Sequence, residues 1–122
     1  MKTKLTFLLS LTFLFLFSGS VYSDDFQDGV DAYKRQDYKT AYKLWLPLAE
    51  QGDADAQVLL GVMYDKGQGV PQDYVLAHMW WNLSGSNGNK DAVTNRNIIE
   101  KRMSPSQKEK AQEMARNWKP KK

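Results

Sequence analysis

His78 is the one histidine of this chain, and it stands in the run Leu76-Ala77-His78-Met79-Trp80-Trp81. An imidazole can act as a general base, a proton shuttle or a metal ligand. Each of those roles needs polar partners, and the residues beside this one are apolar. The chain has no cysteine, which removes thiol nucleophiles, thiolate ligands, disulfides and a lipid-anchor cysteine. A zinc or copper site would have to add carboxylates to a single histidine, and their spacing does not offer them. Ser84, Ser86, Ser104 and Ser106 lack the Gly-x-Ser-x-Gly setting of a nucleophile elbow. Gly67 and Gly69 have neither a preceding strand nor a following Lys-Ser/Thr, so they are turn glycines rather than a phosphate loop. Asp53 and Asp55 sit at a helix start, where carboxylates cap and offset the helix dipole. Asn82-Leu83-Ser84 fits a glycosylation sequon but falls inside a predicted helix. The residues therefore point to no catalytic group, cofactor or metal, and His78 reads as a packed or surface side chain of a helix.

The elements around these residues are helices. Ala56, Leu59, Leu60, Met63 and Tyr64 recur at i, i+3, i+4, i+7 and i+8, one face of a helix over 54–66. Asp53 caps its start and Gly67 ends it. Gly61 lies beside that stripe, where the missing side chain lets another helix approach. The loop Gly67-Gln68-Gly69-Val70-Pro71-Gln72 comes next, and Asp73 caps a helix over 73–84 carrying Tyr74, Ala77, Trp81 and Ser84 on one face. Further helices are predicted near 25–35, 38–50, 89–102 and 105–118. Pro47 should bend the second of the six near its end. The last begins with Ser104 as cap, Pro105 at the first position and Gln107 completing a capping box, and its stripe is Ala111, Met114, Ala115 and Trp118. No segment alternates with period two over a useful length, so the expected class is all-α.

The first 23 residues have a different character. Lys2 and Lys4 precede the apolar run Leu5–Phe17, and Val21 and Ser23 suit positions −3 and −1 of a cleavage before Asp24. The run is too short for a membrane span, which takes about 20 apolar residues. The expected organisation is a cleaved signal over 1–23, a repeat domain over 24–118 and a basic tail over 119–122. The expected location is the periplasm, or outside the cell. Charge is uneven beyond the signal: residues 24–73 carry five basic and ten acidic side chains, residues 74–122 ten basic and four acidic. A basic patch for nucleic acid or anionic lipid competes with a solvated last helix, and the latter suits an exported chain.

Shifting the chain against itself by 36 residues aligns Asp37-Tyr38 with Asp73-Tyr74, Ala41 with Ala77, Trp45 with Trp81 and Asp55-Ala56 with Asp91-Ala92. Gly29 matches Gly61 at a shift of 32, the difference lying in the loop inside each hairpin. A third copy puts Asn97 where a glycine would stand. A hairpin of this length cannot bury both its faces, so neighbouring hairpins must cover one another.

The stretch AQVLLGVMYDKGQGVPQDYVLAHMWW resembles a Sel-one-like repeat, a relative of the tetratricopeptide repeat with a longer loop inside the hairpin. The first copy, GVDAYKRQDYKTA, keeps the shorter tetratricopeptide spacing. Its repeat positions here are Gly29, Ala41, Trp45, Ala56, Gly61, Tyr64, Gly67, Gly69, Ala77 and Trp81. The resemblance implies a short right-handed α-solenoid of about three helix-loop-helix repeats with a C-terminal capping helix. It also implies a non-enzymatic scaffold or adaptor, since exported bacterial relatives serve envelope regulation, assembly and host contact. A cysteine-rich branch resembles penicillin-binding or β-lactamase proteins. That makes a small envelope enzyme or cell-wall binder the alternative, against which the absence of cysteine speaks.

In such hairpins the first helix of each pair lines the concave side. Carried over by position, that side comprises Phe26, Val30 and Tyr33 in the first copy. The second copy contributes Asp55, Val58, Val62 and Asp65, and the third Thr94, Ile98 and Lys101. Val58 and Val62 lie off the stripe of their own hairpin. An apolar row rimmed by charge suits a protein or peptide partner. No nucleic-acid partner and no stable membrane insertion after signal cleavage are expected.

Overall fold

The computed structural model describes residues 24–122; the expected signal over 1–23 lies outside the described residues. Six α-helices and one 3-10 turn make up what is described. They are α1 over 24–34, α2 (Tyr38–Glu50), α3 (Ala54–Lys66), α4 (Tyr74–Ser86), α5 (Lys90–Ile99), the 3-10 turn Glu100–Arg102 and α6 (Pro105–Asn117). No strand occurs among the described residues.

Most helix starts are set by a side chain that replaces a missing backbone partner. Asp37, Asp53, Asp73 and Asn89 each accept a backbone N–H of the first turn. Ser104 and Gln107 form the reciprocal capping box expected of α6, with Pro105 in its first turn. Gly67 ends α3 in the left-handed conformation, at φ 68°, and donates its N–H to Met63. α2 runs through Pro47 to Glu50. The predicted helix over 89–102 stops earlier, at Ile99, and tightens into the 3-10 turn.

Successive helices pack on one another: α2 on α3, α3 on α4, α4 on α5. Two apolar clusters result. The first gathers Ala32, Trp45, Leu60, Met63, Trp80 and their neighbours under the first two hairpins. The second holds Ala77, Trp81, Ala92, Ile99, Met103 and Ala111. Tyr64 borders both, its hydroxyl 2.8 Å from that of Tyr42. Burial, and then the Tyr42 hydroxyl, hold the Tyr64 phenol well above the ordinary tyrosine value.

α6 departs from the repeat. It packs on α4, with Ala111 buried and Met114, Ala115 and Trp118 half-buried against the first cluster. Trp118 meets Trp80 edge-on, ring centroids 6.3 Å apart. Beyond it the tail reaches back to α2, where Lys121 donates its backbone N–H to Glu50 and pairs its ammonium with the Glu50 carboxylate.

Candidate functional site

One contact, made twice, explains why the hairpins close as they do. The indole N–H of Trp45 donates to the carbonyl of Phe26 at 3.1 Å, and that of Trp81 to the carbonyl of Val58 at 3.0 Å. Each acceptor lies three residues before a glycine, Gly29 in one hairpin and Gly61 in the other. A Cβ on either glycine would run into the indole. The tryptophan thus sets the pyrrole edge of its indole against the first helix, and only glycine leaves it room. Asn97 occupies the corresponding place in the third copy, and there α6 leaves α5 for α4 instead of closing a hairpin.

That departure leaves a recess of about 70 Å³, lined by Asp65, Trp81, Asn95, Ile98, Ile99 and Arg102. Trp81 and Ile99 are buried, at 3% exposure each, whereas Ile98 is 52% exposed, the one exposed large hydrophobic residue among those described. Asp65 comes from α3 and Arg102 from the 3-10 turn, and neither side chain has a hydrogen-bond or ion-pair partner among the described residues. Small-molecule sites run to about 300–1,000 Å³. This recess admits a side chain rather than a cofactor.

Its α5 side is tied down from behind. His78 is buried, at 1% exposure, and its Nε2 lies 2.9 Å from Glu100 Oε1 in the 3-10 turn. The hydrogen bond from His78 holds the Glu100 carboxyl below the usual glutamate range; burial opposes this, and the His78, Arg96 and Lys108 charges support it. His78 Nδ1 is buried without a partner. No serine stands in the histidine's hydrogen-bond pattern: Ser84, buried on the same helix, donates to the carbonyl of Ala54. No cluster of metal-ligating side chains is found among the described residues.

The Sel1 repeat model matches residues 26–53 and 54–89, the two hairpins closed by Trp45 and Trp81. The chain belongs to the Sel1 repeat family. Sel1 repeats are protein–protein interaction modules. The crystal structure of c5321, a protective antigen present in uropathogenic Escherichia coli strains displaying an SLR fold, is similar, with 32% identity and a TM-score of 0.74. The match covers 80% of this chain but 22% of that one, so this chain spans about a fifth of its length. No curated protein matches. The likeness establishes the all-α solenoid architecture expected from the repeats.

Within this Sel1 repeat protein the groove residues expected by position divide into four groups. Phe26, Val30 and Tyr33 are half-buried in the first cluster, Phe26 and Tyr33 beside the Trp45 ring. The Tyr33 hydroxyl donates to Gln68 in the long loop. Val58 and Val62 are half-buried against the second cluster, so the stripe of α3 is wider than its helical periodicity suggests. Asp65 and Ile98 meet in the recess. Asp55, Thr94 and Lys101 are exposed; Asp55 accepts from Asn89, and Thr94 donates to the Lys90 carbonyl.

Asn95, Ile99 and Arg102 are not among the residues that repeat position singles out. Asn95 and Ile99 lie at i−3 and i+1 from Ile98, and Arg102 at i+4, so helical spacing from Ile98 signals two of the three. Trp81, a structural repeat position, is also the floor of the recess.

Proposed function

We propose that this is an exported, non-enzymatic Sel1 repeat adaptor of the bacterial envelope or the host interface, holding another protein through the recess over Trp81. The carrying observation is Ile98. It is a large apolar side chain half in water, at the mouth of a recess floored by Trp81, on the helix that α6 leaves uncovered. Apolar surface of that kind, rimmed by Asp65 and Arg102, is what a partner side chain would cover. The basic run, apolar core and small residues before Asp24 support export. Likeness to a protein described as a protective antigen is in keeping with it.

Affinity capture from the native envelope fraction tests the reading, with residues 24–122 as bait beside an Ile98→Lys variant. An exposed apolar-to-charged change shifts stability by about 0.5 kcal/mol, so the variant should keep its helicity and melting temperature while losing the captured partner. A folded variant that still captures it would place binding elsewhere.

A further inference from the structure

We infer that the recess over Trp81 selects a dipolar segment: an aliphatic side chain flanked on one side by an acid and on the other by a base. This rests on the adaptor reading above and gives the partner its chemistry. The floor and mouth are apolar, from Trp81, Ile99 and Ile98, and the space of about 70 Å³ suits one aliphatic side chain. The two walls differ in charge. Asp65 reaches it from α3, near that helix's C-terminal end, and Arg102 from the 3-10 turn after α5.

Opposite charges lining one small recess would ordinarily be read as partners of each other. Here they are not. Among the described residues the acid–base contacts are the His78–Glu100 hydrogen bond and the ion pair of Lys121 with Glu50. Asp65 enters the hydrogen-bond network only through its backbone, its carbonyl accepting from Gln72, and the Arg102 side chain donates to nothing among the described residues. The polar group of the floor itself is satisfied: the Trp81 indole N–H donates to the Val58 carbonyl. Two charges of opposite sign that line one recess without pairing are complementary to a segment that carries both signs. A segment with two acids meets Asp65 as a like charge, and one with two bases meets Arg102.

The test uses four acetylated, amidated peptides with flexible spacers: Glu-Ser-Leu-Ser-Lys, Glu-Ser-Leu-Ser-Glu, Lys-Ser-Leu-Ser-Lys and Ser-Ser-Leu-Ser-Ser. NMR titration of residues 24–122 follows the Trp81 indole N–H, a direct reporter on the floor. The Glu/Lys peptide should bind about three- to tenfold more tightly than the other three, the range expected of two partly exposed charge pairs. Asp65→Lys should move the preference to the Glu/Glu peptide, and Arg102→Glu to the Lys/Lys peptide. Neither side chain has a partner to lose, so both variants should fold, as circular dichroism would confirm. Equal binding of all four peptides, preferences that stay put in the variants, or an indole signal that no peptide moves would each overturn the inference. The adaptor reading is judged separately, by whether envelope capture depends on Ile98.

Discussion

At the scale of single residues, the decisive pairing is glycine with tryptophan. Gly61 and Trp81 are complementary because the indole occupies the space where a Cβ would stand, with its N–H satisfied by the Val58 carbonyl. Gly61→Ala should therefore displace the ring and strip that hydrogen bond, destabilising the protein by about 2–4 kcal/mol in urea unfolding. Asn97→Ala, at the equivalent place where no indole packs, should change stability by about 0.5 kcal/mol or less. Equal effects at the two sites would mean that Trp81 does not need the glycine. Trp81→Ala itself, with the ring 3% exposed, should cost about 3–5 kcal/mol.

At the scale of elements, the segment from α5 through the 3-10 turn is held by the pair His78–Glu100 across to α4. The Glu100 carboxyl titrates lower folded than unfolded. Its contribution is accordingly complete above the unfolded glutamate value and is lost as pH falls through the folded one. Glu100→Gln should lower the melting temperature near neutral pH and flatten its fall as pH drops below the ordinary glutamate range, where the parent is losing the ionised carboxylate. A variant whose pH profile is parallel to the parent's would show that Glu100 does not carry this dependence. α6 depends instead on its cap and on Trp118. Ser104→Ala removes one half of the capping box and should cost about 1 kcal/mol.

At the scale of the whole molecule, burial is shared between hairpins, since Tyr64 touches both clusters and α6 spans from Ala111 in one to Trp118 against the other. Residues 24–118 should melt as one helical unit, with circular dichroism and tryptophan fluorescence giving coincident transitions. Val58→Lys and Val62→Lys together place charges on half-buried positions against the second cluster. That double variant should lose several kcal/mol, about 2 or more per site, whereas Ile98→Lys should melt like the parent. A double variant as stable as the parent would return the two valines to the free surface.

Helix type and most helix ends were legible in the chain alone, whereas the third hairpin expected there does not close, because α6 packs on α4. Helix type and ends depend on local chemistry: caps such as Asp53 and Ser104, the left-handed stop at Gly67, and apolar residues at helical spacing. The repeat shift that paired Trp45 with Trp81 and Gly29 with Gly61 carried the family and the solenoid with it, because each hairpin must be covered by the next. The substitution at Asn97 was visible too, but its consequence was not. Whether a missing glycine ends the repeat, bends it or is tolerated depends on where the next helix finds apolar surface, and α6 finds it on α4. With α6 on α4, Ile98 of α5 stays exposed beside the recess that Asp65 and Arg102 line. Periodicity likewise places Val58 and Val62 off the hairpin's stripe, while the second cluster, built from residues as distant as Ala77 and Met103, reaches around to cover them. Contacts between residues far apart in the chain leave no period to read, and only the packed tertiary structure decided them.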